Sequence, residues 1–556
     1  MNKLTAPDYI VFILYFIIIV FYGVYIFRKK KKKEADSKDY FLAEGSLTWW
    51  AIGASLIASN ISAEQFIGMN GSGFSMGLAI ATYEWMAALT LIIVAVFFIP
   101  VYLKNKIYTM PQYLHKRYNE KVAFIMSVFW LMLYVIVNLT SILYLGALAL
   151  NGISGFNLTL CMGFLALFAV MITLGGMKVI GYTDVIQVFF LIMGGLVTTY
   201  LAITLVSGEP GFSGLGKGLV LMKEHAGEHF HMIFKKTNEH YMDLPGLSVL
   251  FGGMLIVNLN YWGCNQYITQ RALGADLKTA RTGILFAAFL KLLMPVIVVL
   301  PGIAAFVLYQ KGLFQQEMLQ DGSLNPDRAY PTLLNLLPSG LKGLSFAALT
   351  AAIVASLAGK ANSIATIFTL DIYKQYIKKD ASEKNLVKIG KITVIVAVII
   401  AIFVSPFLGI DKKGGFQYIQ EYTGFVSPGV FAMFLLGFFW KKTTSDAALF
   451  ATIGGFIFSV LLKFMPLIID LSFLYPFGLA VPGTDHAYAI PFIDRMAIVF
   501  LMCIIGMWVI SILQTRKGLE ANGLEIDYSM FKTGKNFTIW SFVIIIIIVV
   551  LYSVFW

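Results

Sequence analysis

Fourteen stretches of this chain are apolar over about the length that a helix needs to cross a bilayer, and nothing else in it limits the fold so tightly. They cover 9–27, 48–69, 78–103, 122–150, 157–178, 184–207, 246–268, 283–309, 341–370, 388–408, 421–440, 446–466, 491–514 and 537–556. None alternates polar with apolar residues, so barrel strands are disfavoured. A spanning segment that must satisfy its own backbone is then a helix. Only 13% of the 556 residues are charged, where a soluble chain would carry about one-quarter. The first run has almost no basic residue ahead of it and no small-residue cleavage site, so it reads as a span and not a signal peptide.

Lysine and arginine favour the loops on the side of Arg28–Lys33 by about three to one. That bias predicts this side to be cytoplasmic, with both termini outside. The net charge of +12 is thereby explained by topology, without nucleic acid as a partner. The basic run is a stop-transfer anchor or a contact for anionic lipid. Trp49 and Trp50 stand at a span edge, where interfacial aromatics gather. Cys161, Cys264 and Cys503 all lie inside apolar runs, without the spacing of a metal site or a disulfide framework. The polar loops 208–245 and 310–340 are expected to form lids or caps. Four of the six histidines (His225, His229, His231 and His240) fall in the first, as a solvated loop or an adventitious metal site.

Two spans are interrupted in matching places. The second reads Ala58-Ser59-Asn60-Ile61-Ser62-Ala63-Glu64-Gln65-Phe66, and the seventh Val257-Asn258-Leu259-Asn260-Tyr261-Trp262-Gly263-Cys264-Asn265-Gln266. They stand five spans apart and run in opposite directions. Paired interruptions in inverted halves point to the binding site of a secondary transporter. Taken singly, each is equally a polar packing contact between helices. The expectation is unwound backbone at Asn60–Ala63 and at Asn258–Gly263.

Other spans carry polar groups that lipid would not tolerate. Glu84 lies in the third span, Asn138 in the fourth and Lys291 in the eighth, and Gln420-Glu421 opens the eleventh. A charge at mid-membrane costs roughly 2.5–3.5 kcal/mol and must face a cavity or a partner. Glu84 and Lys291 cancel, as a structural ion pair or as two anchors for a solute. With the amides of Gln65, Asn258 and Gln420 they suit an uncharged polyhydroxyl ligand. Tyr83, Tyr261 and Trp262 could stack on the apolar face of a sugar ring. Ser356 on the ninth span, with carbonyls of the opened second span, offers oxygen ligands to a hard cation, or else bonds back to its own helix. Asp184 either guides a cation out or is a solvated helix-end carboxylate.

These motifs resemble the sodium:solute symporter family in its sodium–glucose cotransporter branch, almost end to end. The likeness is densest from Ala54-Ser55-Leu56-Ile57-Ala58 through Phe66-Ile67-Gly68, and at Tyr83-Glu84-Trp85-Met86, Asn138-Leu139-Thr140-Ser141, Thr183-Asp184-Val185-Ile186-Gln187-Val188-Phe189-Phe190, Phe286-Ala287-Ala288-Phe289-Leu290-Lys291 and Gln417-Tyr418-Ile419-Gln420-Glu421-Tyr422-Thr423-Gly424. The resemblance implies an all-α integral membrane protein with fourteen transmembrane helices and a LeuT-like core of five plus five helices in inverted repeat, with broken helices. On that plan 1–47 is an extra helix and connector, and 48–208 the first repeat. An outer loop, 209–245, precedes the second repeat, 246–440, and 441–556 adds three helices. The resemblance further implies that Gln65, Glu84, Asn258, Lys291 and Gln420 hold sugar hydroxyls, with Asn138 beside them. Tyr261 becomes an inner gate with Asn60 its hydrogen-bonding partner and Trp262 adjacent; Met69, Tyr83 and Phe416 become an outer gate. Sodium falls to Ala58, Ile61, Ala352 and Ser356, and its exit to Asp184.

The chain departs from that pattern at four positions. Ala355 stands where the family has a first serine ligand, Ala87 where a serine lies near the sugar, and Asn260 where a tyrosine flanks the inner gate. Lys360 lies four residues past Ser356, about 6 Å further along a helix, in the exit vestibule or snorkelling to the interface. The expected function is sodium-coupled import of a neutral monosaccharide such as galactose or glucose, by alternating access and with no catalytic residue. Alternatives are sodium or proton symport of myo-inositol, another polyol or a small carboxylate, and, further off, a sodium-gated channel or sensor.

Overall fold

The computed structural model describes residues 4–29, 47–175, 177–320, 322–407, 415–483 and 487–556. Lys30–Lys33 of the predicted anchor lie outside the described residues. The helices are α1 (Ala6–Lys29), α2 (Trp49–Asn60), α3 (Glu64–Lys104), α4 (Glu120–Ser154), α5 (Leu158–Thr173), α6 (Met177–Ser207), α7 (Gly253–Gly263) and α8 (Gln266–Leu273). They continue as α9 (Leu277–Gln310), α10 (Leu341–Ile377), α11 (Glu383–Phe407), α12 (Gly415–Gly424), α13 (Ser427–Phe439), α14 (Ser445–Leu467), α15 (Phe492–Arg516) and α16 (Lys535–Val554).

Helix forms in every one of the fourteen apolar runs. Among the described residues, ten helices are long and apolar enough to cross a membrane, or eleven if α12 and α13, bent by 52°, make one span. The other runs fall short for physical reasons. α5 has 16 residues, and α2, α7 and α8 are pieces cut by polar breaks. The expected boundary between the second and third spans also shifts, since helix runs from Glu64 through to Lys104. It turns at Gly77, whose φ of 73° suits glycine. A side chain there would also run into the backbone of His229.

α9 and α10 form the centre. α10 packs against α1, α2, α5, α6 and α11, and α9 against α2, α3 and α6. The apolar window of α10 is 89% buried within the protein and that of α16 only 22%, so α16 leaves most of its surface to lipid. Buried arginines tie the ends of helices together. Arg117 donates to the carbonyls of Gly437 (2.6 Å) in the last turn of α13 and of Trp440 (2.9 Å) and Thr443 (3.0 Å) just past it, where a cation is favoured. Arg281 does the same for Ala95 (3.0 Å) and for Met530 (2.7 Å) and Lys532 (2.8 Å) in the connector to α16.

The loop 208–245 is ordered as a cap. Its histidines go to separate partners. His229 stacks on Phe306 at 4.1 Å with Nε2 3.1 Å from the Phe74 carbonyl. His231 Nδ1 lies 2.8 Å from the Trp556 carbonyl, and His240 faces Glu239 and Asp243. Among the described residues no three His, Cys, Asp or Glu side chains gather as a metal site.

Candidate solute and cation site

The first break is built by its own sequence. Ile61 adopts an extended conformation (φ −74°, ψ 100°) after α2. The Ser62 N–H then donates to Oε1 of Gln65 at 3.1 Å and not to the carbonyl of Ala58. In return the Ser62 hydroxyl accepts from the Glu64 N–H at 3.1 Å. Side chain and backbone are thus exchanged as in a capping box, with the N–H of Glu64 in the place of that of Gln65, and a new helix starts at once. The first turns of α3, Glu64–Met69, are of the wide π type, found frequently at functional sites.

The second break is displaced from its expected place. Asn258–Gly263 are continuous helix, and the chain opens at Cys264–Asn265. The asparagines stay helical because their side chains find partners. Asn258 Nδ2 donates back to the Met254 carbonyl (3.1 Å) and Asn260 Nδ2 to the Ser427 hydroxyl (3.1 Å). At the actual opening, the Gly263 carbonyl accepts from the Tyr102 hydroxyl at 2.7 Å, and the Asn265 side chain is held by the hydroxyl of Tyr134.

Between the breaks lies a cavity. All six expected solute residues line it: Gln65, Glu84, Asn138, Asn258, Lys291 and Gln420. Glu84 and Lys291 meet directly, with Oε2 2.5 Å from Nζ and side chains 3% and 1% exposed. Lys291 also bonds Oδ1 of Asn60 and sits 5.3 Å over the Trp262 ring. Asn60 Nδ2 donates to the Tyr261 hydroxyl at 3.0 Å, and that hydroxyl bonds Tyr267. The expected inner-gate residues thus form one chain with the ion pair. On the other side Tyr83 and Phe416 pack edge-to-face at 5.0 Å. Gly68 lets Phe416 come this close: a Cβ there would lie 2.8 Å from the Phe416 nitrogen. Met69 is buried on the same turn but does not line the cavity. Glu421 turns aside to Lys463 and to Arg495 (2.6 Å).

The lining also carries unsatisfied polar atoms. The Tyr83 hydroxyl and Oδ1 of Asn260 are buried with no partner among the described residues. Buried polar atoms of this kind are costly unless a ligand or water bonds them. Ala87 lines the cavity as well, so a wall position carries a methyl group and no hydroxyl.

Ala58, Ile61, Ala352 and Ser356 are all buried where α2 meets α10. The Ser356 hydroxyl donates to the Ser59 carbonyl at 3.2 Å, bridging the two helices. With Ser62 turned to Gln65, Ala58 keeps a carbonyl without its usual helical donor. The lone pairs of the Ser356 hydroxyl and the freed Ala58 carbonyl are oxygen ligands of the kind a hard cation takes. Asp184 is buried and not solvated. Its Oδ2 accepts from Ser55 Oγ at 2.6 Å, and Ser55 accepts from Arg271 Nε at 2.9 Å. Lys360 is 2% exposed, so it does not snorkel. Its Nζ lies 4.5 Å over the Tyr267 ring, it lines the cavity, and it feels the charge of Glu64. The sequence reading left Glu64 and Tyr267 without roles. A carboxylate beside a helix break in an apolar run was the available signal for Glu64.

A membrane-embedded bundle with two interrupted helices around a buried, charge-balanced cavity defines an ion-coupled solute carrier. The chain belongs to the sodium:solute symporter family, whose model matches residues 40–455. It is a symporter, with sodium as its coupling ion, in a multi-pass membrane protein. A sodium/glucose cotransporter of Vibrio parahaemolyticus is 47% identical over 567 residues, covering 100% of this chain and 99% of that protein. Human sodium/myo-inositol cotransporter 2 is 34% identical over 85% of this chain and 71% of its own. Mouse sodium/glucose cotransporter 1 is 32% identical over 82% and 71%. Among solved structures, a substrate-bound, outward-open Na+-coupled sialic acid symporter shares the fold, with a TM-score of 0.73 and 22% identity over 92% of this chain and 98% of that one. A closed nucleobase-cation-symport-1 family transporter aligns at 0.50 with 14% identity over 85% and 95%.

Proposed function

We propose that the protein imports a small neutral sugar with sodium across a plasma membrane. The observation that carries this reading is the composition of the cavity wall. Two Glu–Lys couples of zero net charge, Glu84 with Lys291 and Glu64 with Lys360, share the wall with amides, hydroxyls and aromatic rings. A carboxylate substrate would need an uncompensated positive charge there. A hydroxyl can accept from Lys291 and donate to Glu84, so a sugar completes the pair without breaking its charge balance. Gln65 uses its carbonyl on the break, and its amide NH₂ is left to donate to solute. The names of the relatives support glucose or a kindred monosaccharide, and secondly myo-inositol, an uncharged polyol that uses the same chemistry.

The proposed architecture is fourteen crossings with both termini outside and a LeuT-like core of two inverted repeats, 48–208 and 246–440. The cap 209–245 lies between them, with 1–47 and the three helices of 441–556 flanking. The paired breaks and the fold neighbours support this division. Sodium binds at Ala58, Ile61, Ala352 and Ser356 and leaves past Asp184. Solute binding closes the outer gate of Met69, Tyr83 and Phe416; the inner gate of Tyr261, Asn60 and Trp262 then opens. One charge crossing 100 mV supplies about 2.3 kcal/mol and a tenfold sodium gradient about 1.4 kcal/mol. Together they support roughly several-hundred-fold accumulation.

The test is reconstitution into vesicles under an inward sodium gradient with a panel of labelled sugars and polyols. Sodium-dependent uptake of one neutral member is expected, lost in Gln65→Ala and uncoupled in Ser356→Ala. Uptake that persists when choline replaces sodium, or that is confined to carboxylates, overturns the reading.

A further inference from the structure

The cavity holds a second pair of opposite charges that sugar binding does not require. Lys360 and Glu64 both line it, and each lies within reach of the other's charge. Ser356 and Lys360 are four residues apart on α10, so they share one face of the helix, about 6 Å apart along it. Glu64 is the first residue of α3, three past Ile61, and accepts a 3.4 Å hydrogen bond from Ser141. The break at Ile61–Ser62 therefore has oxygen ligands on one side and a fixed ammonium with its carboxylate on the other. A buried ammonium is kept only with compensation, and Lys360 has two sources: the face of Tyr267 and the charge of Glu64.

We propose that Lys360 is a tethered cation that competes with sodium for the field of Glu64, so that this couple sets how tightly sodium is held. The inference rests on the assignment of sodium to Ser356 and its neighbours. Ala355 removes one hydroxyl from that site, so an unbalanced charge nearby acts on a site with fewer ligands of its own. Sodium entering beside Ser356 meets attraction from Glu64 and repulsion from Lys360, which nearly offset. On the low-sodium side the same ammonium keeps Glu64 satisfied after the ion has gone. Release then leaves no bare carboxylate behind.

The couple predicts opposite effects from its two members. Lys360→Met leaves Glu64 uncompensated, and half-saturating sodium should fall about a hundredfold, as expected for a unit charge about 6 Å away at an effective dielectric constant near 20. Turnover should fall with it, because release slows. Glu64→Gln leaves the ammonium unopposed and should raise half-saturating sodium by about the same factor. The double variant should return close to the parent, and Lys360→Arg should match it. Binding is read from the melting temperature of the purified protein as sodium is titrated against choline, and coupling from uptake in vesicles. If Glu64→Gln alone does not fold, Lys360→Met and the double variant decide. Shifts in the same direction, or no shift, overturn the proposal. Ser356→Ala separates the two layers. Should it leave the titration unmoved, the sodium assignment fails and takes the couple with it. Weakened binding in Ser356→Ala beside unmoved charge variants removes the couple alone.

Discussion

Replacing Lys291 by methionine tests whether the cavity wall is held by its own charges. Methionine keeps the length of the stem and removes the ammonium, with its contact over the face of Trp262. Glu84 is then left with a side chain 3% exposed and without its 2.5 Å partner. Removing one member of a buried ion pair costs about 3–5 kcal/mol, because the remaining charge keeps its desolvation penalty. Neutralising both members costs far less. The single variant should therefore melt well below the parent, and Lys291→Met/Glu84→Gln should recover most of the loss. Neither should transport, since both lack groups of the proposed solute site. The assay pairs melting in detergent with sodium-driven uptake in vesicles, arranged as a double-mutant cycle. A Lys291→Met protein as stable as the parent would refute the argument, because Glu84 would then have found water or another partner. A double variant no more stable than the single one would do the same.

Tyr261→Phe removes the 3.0 Å bond from Asn60 and the link to Tyr267, worth about 1 kcal/mol each. Sodium-dependent accumulation should drop as solute leaks back several-fold faster, measured as efflux from preloaded vesicles. Gly68→Ala places a methyl group 2.8 Å from the Phe416 nitrogen, so Phe416 must move off Tyr83; uptake should fall at least tenfold with the protein still folded. In the cap, burial alone would lower the His240 pKa, but the hydrogen bond and charge of Asp243, with Glu239, carry it above 6.5. A histidine whose folded pKa is raised stabilises below its unfolded value and loses that contribution as pH rises through the folded one. The melting temperature of the parent should therefore exceed that of His240→Gln below pH 6.5, and the gap should close at higher pH.

Much of this was legible in the chain because the bilayer leaves so few options. Apolar runs must be helices, and charges inside them must face a cavity. Hence the six solute residues and the Tyr261–Asn60 contact could be named from motif and chemistry, and they converge in space. The first break was readable twice over, since Ser62-Ala63-Glu64-Gln65 is a capping-box pattern in the middle of a span. The second was misplaced by a few residues. Asparagines look like breakers in sequence, but here their side chains bond to Met254 and Ser427 and leave the backbone intact. What opens the helix is the set of partners for Gly263 and Asn265, Tyr102 and Tyr134, which come from distant spans. The same holds for Lys360, whose position on a helix was plain and whose resting place over Tyr267 depends on tertiary packing.

Gln65 carries a consequence for energy coupling. Its carbonyl holds the Ser62 N–H that would otherwise close the helix on Ala58, and its amide faces the same cavity as Lys291. On the proposed assignment, a solute that pulls on this carboxamide alters the backbone that presents oxygens to the ion, and an ion that fixes the backbone orients the carboxamide. Linkage makes the two effects equal in size: whatever factor the ion adds to solute affinity, the solute adds to ion affinity. Substitutions at this one residue should thus change both affinities together, and a variant with one affinity altered and the other intact has to be sought elsewhere in the wall.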